Sequence, residues 1–197
     1  MNDIDIFKIL SEVKKREEIK KIEIIERSPC LIEPRKFKIS AKADKPLAGV
    51  LPILHLAIPS SKYSETHGSL SFLRNGHLVG LFSDGRINAS CFEDEREAEA
   101  LLMDLKKLIN SAFKYYIKHS KPDPELLKLR KKANPLEIYR HLPKTNCREC
   151  GEAGCFAFAT KLLNGERKLE ECPQLQLEKY SEDRAYLERL IKPIRLE

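Results

Sequence analysis

The sequence predicts an α+β protein: an antiparallel meander sheet covered by helices, followed by a small helical cysteine-rich module. Three features predict it: two hairpin-type dipeptides between short apolar runs, a long amphipathic stretch after them, and four cysteines near the C-terminus. We therefore expect an α+β domain over residues 1–119, a connector over 120–141 and the cysteine module over 142–197.

The composition is typical of a globular protein. Hydrophobic residues make up 42% of the chain and charged residues 34%, and no apolar stretch approaches the roughly 20 residues that a membrane span requires. We therefore expect a cytoplasmic protein without a membrane segment. The 36 basic and 30 acidic residues give a net charge of +6, a mild bias that does not mark an obligate nucleic-acid binder.

The meander and its helix are the clearest elements of the first domain. Asn75-Gly76 and Asp84-Gly85 accept the positive φ angles of tight turns, so they separate three predicted strands, 70–73, 77–82 and 86–92. Residues 93–117 then carry apolar side chains at helical spacing after an acidic first turn. A long helix across a three-stranded sheet follows from this pattern.

Four further elements are predicted before the meander. Residues 3–20 have the period of an amphipathic helix, and 22–26 form a short β-branched run. Residues 36–43 alternate apolar and polar side chains, as a half-buried strand does. The apolar run 47–58 is interpreted as a buried helix, although it contains Gly49 and Pro52.

This order of strand, helix, three antiparallel strands and long helix resembles one repeat of the TATA-box-binding protein. The segment LVGLFSDGRINASCFEDEREAEALLMDL is similar to that family's strand, turn, strand and acidic helix start. The resemblance covers residues 36–113 and implies a sheet of that type. In that family two repeats form a DNA-binding saddle, whereas this chain has one, so a homodimer would be needed to rebuild it.

The four cysteines of the C-terminal module have the spacing C-x2-C-x4-C-x16-C. Cys147, Cys150, Cys155 and Cys172 would suit one 4Fe-4S cluster, held by four thiolates. A four-cysteine zinc site is the alternative, but zinc modules usually bring two separate C-x2-C pairs. Disulfides are the weaker reading, because thiols in a reducing cytosol stay free.

The residues around these cysteines indicate how the backbone could position the four thiols. Gly151 and Gly154 permit a tight, left-handed backbone around an anion. Cys155 is expected to open a helix that runs to Asn164 and ends at Gly165. Three apolar side chains of that helix would shield the cluster or simply pack in the core: Phe156, Phe158 and Leu162.

The run from Leu142 to Leu175 resembles the iron-sulfur domain of the corrinoid iron-sulfur protein large subunit, and is similar to the cluster domain of the Rnf-type electron-transfer complex. The carrying motif is LP-x-T-x-C, then C-x2-C-G, an FA helix and a terminal CP. The resemblance implies a low-potential 4Fe-4S cluster that passes single electrons, with a redox protein, such as a corrinoid protein, as the partner. Arg148, beside the cluster, would raise its potential somewhat.

The remaining candidates carry weaker signals. The stretch 114–144 is rich in Lys and Arg and is interpreted as a solvated hinge with short helices at 126–132 and 136–141, or as a docking surface for an acidic partner or a nucleic acid. Its histidines, His119 and His141, are expected at the surface, and Cys30 and Cys91 are expected to be structural.

Because no nucleophile with a base and no phosphate loop is present, we expect an electron carrier or redox accessory protein rather than an enzyme acting alone. The alternative is a cluster-stabilised regulator that binds nucleic acid.

Overall fold

The computed structural model describes residues 18–30, 33–119, 122–192, 194 and 196. These residues fall into two compact units. The first contains the described residues up to Leu54 together with Tyr63–Pro122, and the second contains His55–Lys62 and Asp123–Ile194. No helix among the described residues is both long and apolar enough to cross a membrane.

The first unit is built on a six-stranded sheet, which confirms the predicted α+β class. The strands are β1 (Ile22–Pro29), β2 (Phe37–Ala43), β3 (Lys62–Ser64), β4 (Ser69–Arg74), β5 (His77–Phe82) and β6 (Arg86–Phe92). Their order across the sheet is β1-β2-β6-β5-β4-β3, and β2 and β5 both pair antiparallel with β6.

One face of the sheet is buried under the long helix α2 (Glu95–His119), which follows α1 (Leu51–Ala57) and the meander. The inward side chains of β2 are Ile39, Ala41 and Ala43, as the alternation predicts. The helix buries a stripe spaced three and four residues apart, because such residues share one helical face: Ala98, Leu101, Leu102, Leu105, Ile109, Ala112 and Phe113.

Several predicted boundaries change. The leading helix at 3–20 lies mostly outside the described residues, and residues 18–20 are not helical. Instead, the backbone N–H of Ile19 donates to the Asn110 side chain and its carbonyl accepts from the same amide, at 2.9 and 3.0 Å. The helix predicted over 47–58 is shorter in the structure, where α1 spans Leu51–Ala57. Strand β3 was not predicted, because three residues are too few to show a period.

Within residues 123–192, the second unit contains four helices and three single 3₁₀ turns. The helices are α3 (Pro124–Lys131), α4 (Pro135–Arg140), α5 (Cys155–Leu163) and α6 (Ser181–Ile191). The turns are Leu169–Glu171, Pro173–Gln176 and Glu178–Tyr180. Helices α3 and α4 both begin with proline after a capping side chain, Asp123 and Asn134, because proline is tolerated where no helical donor is needed.

The two hairpin glycines of the meander give a matched test of the fold. Both are left-handed, with φ of 84° at Gly76 and 94° at Gly85, but a side chain at Gly76 would meet nothing within 4 Å, whereas at Gly85 it would lie 2.6 Å from the Lys45 carbonyl oxygen. We expect Gly76→Ala to cost roughly 1–2 kcal/mol of unfolding free energy from the backbone alone. Gly85→Ala should cost about 1–3 kcal/mol more because the Lys45 backbone must move. Urea unfolding measures both, and equal losses would contradict the close approach.

Candidate metal centre

The four C-terminal cysteines all belong to the second unit and differ in exposure. Cys155 and Cys172 are part of its apolar core, at 8% and 6% exposed, whereas Cys150 is half-buried and Cys147 is exposed. The core around them is formed by residues of α4, α5, α6 and the 3₁₀ turns: Ile138, Leu142, Phe158, Ala159, Leu162, Leu169, Leu175, Leu187 and Leu190. The set therefore lies at one edge of this core, with one side toward solvent.

The four thiols lie within electrostatic range of one another. Burial raises the pKa of the Cys172 thiol, and the thiols of Cys150, Cys155 and Cys147 each raise that pKa further, because a thiolate at any of them would repel a second negative charge. The four predicted residues are therefore neighbours in the structure, but their side chains are not arranged as a ligand set. Among the described residues, no three His, Cys, Asp or Glu side chains form a group that could hold a metal ion.

The loop before and between the first two cysteines has left-handed backbone at every second residue. Lys144, Asn146 and Arg148 have φ of 59°, 48° and 63°, and Gly151 has the expected left-handed φ of 80°. Backbone of alternating handedness turns successive N–H groups toward one side and forms a concavity that favours anions. Each left-handed position costs a residue other than glycine roughly 1–2 kcal/mol, so the surroundings must hold the loop in place.

Asn146 connects this loop to the helix that carries the third cysteine. Its side-chain Oδ1 accepts a hydrogen bond from the backbone N–H of Cys155 at 2.9 Å, so it satisfies a donor at the start of α5. Gly154 is extended rather than left-handed, with φ of 178°. A side chain there would come within 2.9 Å of the same Oδ1. Gly154 therefore provides room for the Asn146 contact.

A buried carboxylate, Glu152, connects the loop to two basic side chains. Glu152 is 6% exposed, accepts from Lys161 of α5 at 2.9 Å, and accepts from Arg167 Nε at 2.8 Å. Arg167 also donates to Glu171 at 2.8 Å, next to Cys172. The hydrogen bond from Lys161, and then that from Arg167, lower the pKa of Glu152, so it stays ionised at neutral pH. The network joins the three-cysteine loop to the fourth cysteine's segment.

The aromatic residues of α5 take different roles. Phe158 and Leu162 are buried in the core, as expected of either shielding or packing residues. Phe156 is 51% exposed, so it does not shield the site by burial, and its ring meets Tyr139 edge-on at 5.7 Å. Lys144 lies over the other ring of this pair, 5.9 Å from the Tyr139 centroid. The edge that exposes Cys147 thus also carries a cation and an exposed aromatic ring.

The two histidines of the basic stretch contact other residues than the four cysteines. His119 is exposed and stacks on Tyr115, and His141 is half-buried, with Nδ1 2.7 Å from Asp183. Sequence reasoning missed Asn146, Glu152 and Arg167. The only signal in the sequence was that polar residues lie among the cysteines. Their hydrogen-bond partners cannot be predicted without the fold.

The open face of the sheet in the first unit forms a second concave surface. Its groove, of about 350 Å³, is lined by small and polar residues at its centre, including Ser40, Ser71, Gly80 and Asn88. The Ser40 hydroxyl donates to Asn88 at 2.8 Å, and Arg86 lies over the Phe82 ring. Lys38 and Glu26 also line the groove, so its charges are mixed.

The family comparison bears on the second unit. Residues 142–174 match a family model described as "Putative Fe-S cluster". This part of the chain is therefore similar to an iron-sulfur cluster domain, in agreement with the resemblance found in the sequence. No solved structure matches the chain.

The curated relatives match short stretches of the chain. The chain is 52% identical over 61 residues to the acetyl-CoA decarbonylase/synthase complex subunit gamma 2 of Methanosarcina thermophila, which covers 30% of this chain and 13% of that protein. It is 44% identical over 63 residues to the gamma subunit of Methanocaldococcus jannaschii, covering 32% and 13%. It is 55% identical over 38 residues to the corrinoid/iron-sulfur protein large subunit of Moorella thermoacetica, covering 19% and 8%. The chain thus spans only a small part of the length of these relatives.

The Glu152 network gives a prediction about the metal centre. Glu152→Gln removes the charge that Lys161 and Arg167 share, so the strained loop should loosen. We expect faster hydrogen exchange over residues 144–155 and roughly tenfold faster loss of iron to a chelator. Glu149→Gln is the matched control, because Glu149 is an exposed carboxylate of the same loop that accepts a hydrogen bond from the neutral Gln174 side chain rather than from a cation. Equal effects of the two variants would contradict the assigned role of Glu152.

Proposed function

We propose that Cys147, Cys150, Cys155 and Cys172 bind one 4Fe-4S cluster, and that the protein passes single electrons to a partner protein. The observation that supports the proposal is that all four cysteines fall within residues 142–174, the segment that matches the family model. The other three thiols also raise the pKa of the Cys172 thiol, so the four lie within electrostatic range of one another. Such a cluster supplies one-electron redox chemistry when it is bound. A structural four-cysteine zinc site is the alternative that metal analysis must exclude.

The residues of the loop fit a cluster in two ways. The donor set consists of thiols alone, which is the set that iron-sulfur clusters take. The left-handed residues Lys144, Asn146 and Arg148 would allow backbone N–H groups of this loop to face a sulfide-rich anion. Cys155 stands at the N-terminus of α5, whose dipole favours negative charge and the thiolate form.

The uneven burial of the four cysteines supports electron transfer. Cys155 and Cys172 lie in the apolar core, which limits solvent on that side, whereas Cys147 is exposed. An electron carrier needs one side of its site within reach of a partner, and a purely structural site does not. Cys147 therefore marks the side on which a partner would dock.

The surface at that side would suit an acidic partner. Lys144 and Arg148 are exposed, flank Cys147 in sequence and carry positive charge, and Phe156 offers an exposed apolar contact. Charge complementarity of this kind steers a partner into position. The names of the relatives include a corrinoid/iron-sulfur protein, so we propose a corrinoid protein as the acceptor.

The metal content tests the cluster. Protein prepared without oxygen should be brown and hold about four irons per chain. Cys155→Ala should lose the iron and speed hydrogen exchange from Leu142 onward, while the sheet of the first unit keeps its protection, because a structural metal stabilises mainly the module that supplies its ligands. Cys91→Ser, outside this set, should keep the iron. Zinc in place of iron, or uniform melting of the whole chain after Cys155→Ala, would refute the assignment.

Electron transfer is tested by charge reversal at the proposed docking surface. At low ionic strength, Arg148→Glu should slow reduction of a negatively charged corrinoid protein by roughly tenfold, because electrostatic steering is lost. The effect should shrink with added salt. Reduction of free cob(II)alamin, which needs no docking, should not change. Lys107→Glu, an equal charge change on α2, is the control.

The same preparation should be mixed with duplex DNA at two salt concentrations. A cluster that cannot be reduced and reoxidised, together with strongly salt-dependent DNA binding, would overturn electron transfer and favour the nucleic-acid-binding regulator.

A further inference from the structure

Two cysteines outside the metal centre meet in the first unit. Cys30 directly follows β1 and is buried, and Cys91 lies near the end of β6 and is partly exposed. Their Sγ atoms are 3.3 Å apart. They are separated by 61 positions in the sequence, so only the fold brings them together.

Regular strand pairing would not place these thiols in contact. Strands β1 and β6 both pair with β2 and lie on its opposite sides, so an ideal sheet would hold them roughly 10 Å apart. Between the pairs Phe37↔Phe92 and Ile39↔Ala89, however, β6 advances three residues while β2 advances two. The extra residue makes a β-bulge, and bulges turn a side chain in a new direction.

Cys91 occupies this bulge in a costly conformation. Its φ is 70°, in the left-handed region where a bulge normally uses glycine. A side chain other than glycine persists there when something else requires it. Here the conformation brings a thiol to Cys30.

We propose that Cys30 and Cys91 form a second redox site, a dithiol that is oxidised to a disulfide by exchange with a low-molecular-weight disulfide. The half-exposed Cys91 is the attacking thiol, because an outside disulfide can reach it. The buried Cys30 is the resolving thiol. This site is independent of the cysteines proposed for the cluster, so its test does not depend on the function proposed above.

The exchange proceeds in two balanced steps. Cys91 loses its proton and attacks one sulfur of the small disulfide, forming a mixed disulfide and releasing one small thiol after protonation. Cys30 then loses its proton and attacks Cys91 Sγ, which forms the Cys30–Cys91 bond and releases the second small thiol. Two protein thiols lose two electrons, and one small disulfide gains them.

The surroundings of Cys91 favour the protonated form of its thiol. The hydrogen bond with Cys30, then burial, and then the charges of Cys30 and Glu33 raise the pKa of the Cys91 thiol, whereas a hydrogen bond with Ser90 lowers it. Less thiolate means slower attack at neutral pH.

The test uses the full chain with its metal, kept under argon in mixtures of reduced and oxidised glutathione. The intact mass of the acid-quenched protein, measured before alkylation, should be lower by two hydrogens in oxidising mixtures. Peptide mapping after alkylation should find a Cys30–Cys91 disulfide. The iron content should stay constant. The proposal would be overturned if Cys30 and Cys91 were both alkylated at every ratio of reduced to oxidised glutathione. A disulfide between either of them and a C-terminal cysteine would also overturn it.

Two variants test the order of attack. Cys30→Ser should stop at the first step and accumulate glutathione on Cys91, whereas Cys91→Ser should take up none at the buried Cys30. Circular dichroism checks that both variants keep the fold. Equal glutathione uptake by the two variants would contradict the assigned roles, and a Cys30→Ser protein that folds but takes up no glutathione would overturn the proposal.

Discussion

The metal centre depends above all on the ion-pair network of Glu152. The loop that carries Cys147 and Cys150 contains three left-handed residues other than glycine, and such a loop does not hold its shape alone. Glu152 anchors it to Lys161 on α5 and to Arg167, which in turn reaches Glu171 beside Cys172. Because the carboxylate is buried, removal of either cation would leave a charge poorly compensated. One side chain thereby links the segments of cysteines that lie far apart in sequence and that are proposed as ligands.

The core of the second unit and the cysteine set stabilise each other. Cys155 and Cys172 are packed with Phe158, Leu162 and Leu175, so two of the proposed ligands are also core residues. In a module this small, apolar packing alone gives limited stability, and bound metal commonly supplies the rest. Burial raises the pKa of the Cys172 thiol and so disfavours its thiolate. Binding of the metal must offset the free energy needed to deprotonate it. Folding and cofactor binding are thus expected to be coupled in this unit.

A buried arginine explains why residues 55–62 belong to the second unit. Arg130 is 2% exposed, and its Nη2 donates to the carbonyl oxygens of Leu56 and Lys192 at 3.2 and 2.8 Å. These carbonyls lie near the C-terminal ends of α1 and α6, where a cation is favoured. Burial lowers the pKa of Arg130 to about 10, so it remains charged at neutral pH. In the sequence Arg130 is one more cation in a basic stretch, and its partners cannot be inferred from that stretch.

The two groups of cysteines show what the sequence can and cannot predict. Cys147, Cys150 and Cys155 lie within nine residues, so local spacing alone indicated the module, and the meander was equally local because its turns are dipeptides. Cys30 and Cys91 were expected to be structural. The sequence does not show their contact, because it depends on a bulge that shifts β6 by one residue against β2. A sequence pattern of period two does not reveal which residue will be the extra one. Contacts between distant residues that depend on strand register or on a buried charge, like that of Arg130, therefore become visible only in the folded chain.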